Sequence, residues 1–232
     1  MLELQKFSVF VTGTDTGVGK TLVSAALLHA LARHYPRVVG MKPVAAGTTL
    51  VDGIQANDDV LALRAASNCR VPAELDNPVL LPDPLSPHIA AARAGVEISI
   101  AHLVACQQQL LTHADAVVVE GAGGFMVPLS DTQTGADLAQ ALGLPVVLVV
   151  GLRLGCLNHA LLTASAIRAR GLTLAGWVAN HVDPEMLAQA DNIAFLQQQL
   201  QAPLLASIVY QAQPEARDVH FELPLTWQTP CL

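Results

Sequence analysis

Val9-Phe10-Val11-Thr12-Gly13-Thr14-Asp15-Thr16-Gly17-Val18-Gly19-Lys20-Thr21 decides the fold. An apolar β-type run, Phe7 to Val11, stops at Gly13, and a helical pattern runs from near Gly19 to about His34. A strand, a Gly/Thr loop closing in Gly-Lys-Thr and a helix together make the setting of a phosphate-binding loop. Gly17 and Gly19 let the backbone curl so that successive N–H groups point at phosphate oxygens. The helix start adds partial positive charge there. Thr16, Gly17, Val18, Gly19, Lys20 and Thr21 are therefore candidate nucleotide contacts. Lys20 is expected to reach the β- and γ-phosphates, and the Thr21 hydroxyl to coordinate Mg²⁺. Five residues separate Gly13 from Gly19, one more than the usual form of the motif. A Gly-rich turn that binds nothing is the bland reading, and the Gly-Lys-Thr ending in this setting argues against it.

Composition bounds the rest. At 232 residues, 52% hydrophobic and 13% charged, the chain can bury a large core. A net charge of −7 without any basic run argues against a nucleic-acid partner. A nucleotide must then be held by a local nest and a few cations. Cys69, Cys106, Cys156 and Cys231 are far apart and form no Cys-x-x-Cys pair, so neither a zinc site nor a disulfide framework is expected. The N-terminus lacks a basic leader and reads as strand one, and no apolar stretch is long enough to span a bilayer. A cytoplasmic setting, with no membrane partner, fits these features.

Outward from the loop, apolar strands and amphipathic helices alternate. Val38–Met41 reads as strand two and delivers Lys42 to the end of a sheet where α/β folds bind ligands. An ordinary surface lysine is the equal alternative. Thr48 to Ala56 reads as a polar loop, and Asp58-Asp59 opens a short helical run. Asp59 is then either a helix N-cap or first-turn acid, or a Mg²⁺ ligand. The segment 71–87 carries five prolines and reads as an irregular connection with a possible lid role. His88 receives no role.

Ile98–His113 reads as a helix and Ala116–Glu120 as a buried strand ending in an acid, followed by Gly121-Ala122-Gly123-Gly124. Glu120 stands where a Walker-B acid belongs, with helix capping as the bland reading. Leu144–Val150 is another strand. Gly155, Cys156, Leu157 and Asn158 open a helix whose start can dock an anion, or which Asn158 merely caps. A strand from Leu174 closes on Asn180, whose carboxamide matches the edge of adenine. A helix from Pro184, with Met186, Ala190, Ile193, Leu196 and Leu200 as its buried face, and a strand over 203–209 complete the pattern. The tail 211–232 has no assignable fold. The whole, 1–232, reads as a single α/β domain, P-loop NTPase-like, with a mainly parallel sheet of about six or seven strands flanked by helices.

Taken together, these segments resemble the dethiobiotin synthetase family over nearly the whole chain. The resemblance rests on Thr12-Gly13-Thr14-Asp15-Thr16 with Val18-Gly19-Lys20-Thr21, Lys42-Pro43-Val44, Asp59, Val119-Glu120-Gly121-Ala122-Gly123-Gly124 and Pro128-Leu129-Ser130-Asp131. It continues through Gly155-Cys156-Leu157-Asn158-His159-Ala160 and Gly176-Trp177-Val178-Ala179-Asn180. The five-residue loop spacing is that family's own. The resemblance implies an ATP-dependent cyclo-ligase acting on 7,8-diaminononanoate and CO₂ (or bicarbonate) with ATP and Mg²⁺. A carbamate attacks the γ-phosphate, and the second amine then closes the ureido ring.

On that resemblance Lys20 and Lys42 are catalytic, and Thr21, Asp59 and Glu120 hold the metal. Gly121, Ala122, Gly123, Asn180, Val209, Tyr210 and Gln211 join the nucleotide contacts. Thr16, Lys42, Ala46 and Gly155 to Asn158 contact substrate, the last four from the partner subunit of a homodimer. Three departures stand out. Ala46 replaces a frequent Ser. Gly17 replaces a commonly acidic residue. Val209-Tyr210-Gln211 matches weakly where the nucleotide is lined. The alternative is a dimeric ATPase switch of the MinD/ParA kind, whose signature loop Lys falls at Asp15 here. A cobyrinic acid-type synthetase would need a glutaminase domain for which the chain has no room.

Overall fold

A computed structural model describes residues 6–51 and 53–228, so Cys231 and the end of the tail lie outside the described residues. In chain order the elements are β1 (Phe7–Gly13), α1 (Lys20–Leu31), β2 (Val38–Met41), β3 (Val44–Ala46), β4 (Thr49–Val51), β5 (Ile54–Ala56), α2 (Asp58–Ala66), α3 (Ala73–Asp76) and β6 (Val79–Leu81). Then follow α4 (Pro87–Ala94), α5 (Ile100–His113), β7 (Ala116–Glu120), α6 (Gly135–Leu142), β8 (Val146–Gly151), α7 (Cys156–Ala169), β9 (Leu174–Asn180), α8 (Gln189–Gln199) and β10 (Leu204–Ile208).

Six strands form one parallel sheet in the order β10-β9-β8-β1-β7-β2. Strand residues alternate between its faces. Val117, Val119, Leu148 and Trp177 pack on the side that also buries Leu110 of α5, Ala139 of α6, Ile167 of α7 and Leu196 of α8. Ala116, Val118, Val147 and Val178 pack on the opposite side with Leu27 and Leu28 of α1 and Leu63 of α2. Burial on both faces is why the strands are continuous apolar runs.

Several expectations are corrected. Thr48 to Ala56 is the β4–β5 hairpin, and Asn57 Nδ2 ties its two ends by donating to the Gly47 carbonyl at 2.7 Å. The 71–87 connection is ordered. β6 pairs in parallel with β3, and Val79 and Leu81 are buried with Ala90 of α4 and Leu103 of α5, so this part of the segment belongs to the packed body. Pro87 is the first residue of α4, where its missing N–H has no cost. The helix expected from Pro184 begins only at Gln189, after Ala188 in left-handed backbone, and Ala190 is exposed.

The tail also packs. Its two 3₁₀ turns, Ala216–Asp218 and Leu225–Trp227, bring Phe221 and Trp227 onto the α1 side of the sheet. The Trp227 ring lies 5.1 Å from that of Phe7. Among the described residues, no helix is long and apolar enough to cross a membrane.

Candidate functional site

The strand order brings the C-terminal ends of β1, β7, β2, β8 and β9 to one edge of the sheet, where open α/β sheets bind ligands. The loop after β1 curls over this edge with Gly17 at φ +73° and Gly19 at φ +88°. Gly19 is the residue that caps α1, and a Cβ on it would stand 2.2 Å from Asn180 Nδ2. Asn180 sits that close because its Nδ2 donates to the Val18 carbonyl at 2.9 Å. The carboxamide that the sequence reading matched to adenine here clamps the loop backbone from β9. Lys20 is buried and donates to the Asp15 carbonyl at 3.0 Å, across the loop's concavity.

Next to the loop lies a compact polar cluster. The parallel register sets Met41 beside Val119, so the following residues, Lys42 and Glu120, stand side by side at the C-terminal edge of the sheet. Lys42 is 4% exposed and Glu120 0%. The Lys42 ammonium donates to Glu120 Oε1 at 2.5 Å and to Asp59 Oδ2 at 2.7 Å. The Thr21 hydroxyl lies 2.7 Å from Asp59 Oδ1 and 3.0 Å from Glu120 Oε1. The surface-lysine reading of Lys42 is therefore overturned. Asp59 is a first-turn acid of α2 and not its cap, since Asn57 caps the helix and accepts from Val60 N–H at 3.3 Å. Glu120 caps nothing either: it ends β7 in the interior.

Burial opposes charge on Lys42, but Glu120 and Asp59 outweigh it and raise its pKa. Burial likewise opposes charge on Asp59, and Lys42 more than offsets it, so the Asp59 pKa falls. Lys20 fares differently. Burial, then repulsion from Lys42, push its pKa from 10.5 down to about 8. Lys20 is thus a cation short of a counter-charge at the start of α1.

The glycine turn after β7 presses against the phosphate loop. A Cβ on Gly124 would lie 3.7 Å from the Gly13 carbonyl, and Gly123 faces the Thr16 hydroxyl. Gly121 and Ala122 line a small cavity with Thr12, Pro43 and Glu120. Ala46 ends β3, and Val209, Tyr210 and Gln211 are exposed just beyond β10. At α7 the cap is Gly155, in left-handed backbone and with no side-chain bond, so Asn158 does not cap the helix. Cys156 turns its side chain into the core and its N–H donates to the Arg153 carbonyl. Leu157 and Asn158 remain on the outer turn.

Arg153 is the residue that the sequence did not reveal. Its guanidinium pairs with the Asp15 carboxylate of the phosphate loop, 138 residues away along the chain.

The profile of an AAA domain family, AAA_26, matches residues 8–217. The chain belongs to this family. It is accordingly a P-loop NTPase domain, with the phosphate loop at its centre.

Solved structures share the fold. The MinC:MinD cell division complex of Aquifex aeolicus matches with a TM-score of 0.55 at 15% identity, over 89% of this chain and 82% of that one. MinD of Pyrococcus horikoshii, complexed with Mg-ADP, matches with 0.52 at 18% identity, over 88% and 80%. The signal recognition particle receptor FtsY of Elizabethkingia anophelis, in complex with GDP, matches with 0.54 at 16% identity over 93% of this chain. The chain spans 60% of that receptor's length. At such identities the likeness is one of fold.

Proposed function

We propose that this AAA_26 domain is an ATP-dependent cyclo-ligase that forms the ureido ring of dethiobiotin from 7,8-diaminononanoate and CO₂. The observation that carries this reading is the second buried cation. Lys42 lies outside the phosphate loop, is bonded to both acids that approach Thr21, and stands close enough to Lys20 to depress its pKa. Nucleotide binding alone needs Lys20. A second lysine beside it suits a reaction in which a second anion, a carbamate, must be brought to the γ-phosphate.

The residues fit Mg²⁺. Thr21 Oγ1, Asp59 Oδ1 and Glu120 Oε1 converge as hard oxygen donors, and Glu120 Oε2 is buried without a partner. Bound there, the ion would neutralise charge on the phosphates during transfer. Lys20 then holds the β- and γ-phosphates. Lys42 neutralises the carbamate, made when one substrate amine adds to CO₂ and loses a proton. A carbamate oxygen attacks the γ-phosphate and ADP leaves. The second amine attacks the resulting carbonyl carbon, phosphate departs, and the ring closes. Such chemistry asks for positioning and charge stabilisation more than for an acid–base pair.

The start of α7 would hold the substrate carboxylate from the partner subunit of a homodimer, and the whole chain would act as one cytoplasmic domain. A dimeric ATPase switch is the second reading, favoured by the fold likeness to MinD and ParA-type proteins; the ParA family ATPase of Chlorobium tepidum matches with a TM-score of 0.53 at 14% identity. Against it stands Asp15, where that kind of protein carries its signature Lys and where this chain has an acid paired to Arg153. The deciding test is incubation with 7,8-diaminononanoate, bicarbonate and Mg-ATP, with mass detection of the cyclised product. Product together with diamine-dependent ADP formation supports the ligase. ADP formed at the same rate without diamine, and no product, supports the switch.

A further inference from the structure

We infer that Arg153 is a positioning residue for nucleotide binding, acting through Asp15 on the shape of the phosphate loop. Asp15 is held at three points. Its Oδ2 takes the Arg153 guanidinium, its Oδ1 accepts the Thr16 N–H at 2.7 Å, and its carbonyl accepts the Lys20 ammonium at 3.0 Å. The side-chain bonds fix the orientation of the peptide that receives Lys20. Arg153 is in turn fixed from below. It follows β8, which lies beside β1, and its carbonyl accepts the Cys156 N–H at the start of α7. One guanidinium therefore joins the loop after β1 to the turn after β8.

As a source of stability the pair is negligible. Its side chains are 43% and 48% exposed, and ion pairs so placed contribute about 0–1 kcal/mol. Geometry is where it matters. A loop ordered before the ligand arrives spares binding the entropy of ordering it. Removing the pair should thus weaken nucleotide binding while leaving the fold as stable as before. This inference rests on the phosphate loop alone, so it stands or falls separately from ring formation.

The test is calorimetric titration of Mg-ATP into wild type, Arg153→Gln, Asp15→Asn, the double variant and Arg153→Lys, with thermal unfolding of each. Arg153→Gln and Asp15→Asn should each raise Kd about three- to fivefold, and the double variant should be no worse than either, since both remove one interaction. Arg153→Lys should recover most of the affinity, and all melting midpoints should agree with wild type. Kd values within twofold of wild type would overturn the inference. So would additive losses in the double variant, or losses that track a falling melting midpoint.

Discussion

Nucleotide binding should draw a proton from solution onto Lys20. The empty protein holds this side chain at a pKa of about 8 because burial and Lys42 both disfavour its charge. At pH 8.5 about a quarter of the molecules then carry the Lys20 proton. Polyphosphate brings the missing counter-charge and should return the pKa to its ordinary 10.5 or above. Binding at pH 8.5 should accordingly take up about 0.7 proton, and at pH 7 only about 0.1.

Calorimetric titration of ATP in buffers of different ionisation enthalpy measures this directly, because the observed enthalpy varies linearly with that ionisation enthalpy and the slope is the number of protons exchanged. Lys20→Met should abolish it. Uptake below about 0.2 proton at pH 8.5, or uptake that survives in Lys20→Met, would refute the reasoning. The same pKa has a consequence for stability. Unfolding returns Lys20 to 10.5, so between about pH 8 and 10.5 the unfolded chain binds more protons and the empty fold gains stability as pH rises. Bound nucleotide should flatten that slope.

Other outcomes follow from the same cluster and its surroundings. Lys42→Met strands the buried Glu120 carboxylate and should cost about 3–5 kcal/mol, while Lys42→Met with Glu120→Gln should cost clearly less than the two single changes summed; denaturant titration checks this. Asp59→Asn and Glu120→Gln should each raise the Mg²⁺ concentration needed for half-maximal turnover and lower kcat, as a Mg²⁺ titration would show. Asp137→Ala should lower stability by about 1 kcal/mol without affecting turnover, because Asp137 Oδ2 accepts from both the N–H and the hydroxyl of Thr134 at the start of α6. If sites are shared across a dimer, inactive Lys42→Ala and Asn158→Trp chains mixed in equal amounts should regain about a quarter of wild-type activity, given free subunit exchange.

Where the sequence was legible, burial on two faces made it so. β2 and β7 were readable to the residue because Val38–Met41 and Ala116–Glu120 are unbroken runs buried on both sides. Other elements left weaker marks. Thr134 followed by Asp137 is a helix-start pattern, and an Asp-Gly step between Val51 and Ile54 is a hairpin pattern, yet both segments are too short for periodicity to speak. β3 and β6, three residues each, become strands only by pairing with one another.

Within the site, residue types pointed to Lys20, Thr21 and Glu120, because the chemistry of the motif is local. Lys42 stayed open until the β2–β7 register set it beside Glu120. Arg153 was beyond reach for the same reason: its partner comes from a neighbouring strand far away in the chain, and no spacing rule joins positions 15 and 153.

The central claim, that ATP phosphorylates a carbamate and not water, is tested most directly by following oxygen. With ¹⁸O-labelled bicarbonate, 7,8-diaminononanoate and Mg-ATP in unlabelled water, released phosphate is analysed by mass spectrometry at times short of carbonate exchange. The account predicts one labelled oxygen in each phosphate, carried over from the carbamate that attacked the γ-phosphate. Phosphate that takes its new oxygen only from water, at any diamine concentration, would contradict it.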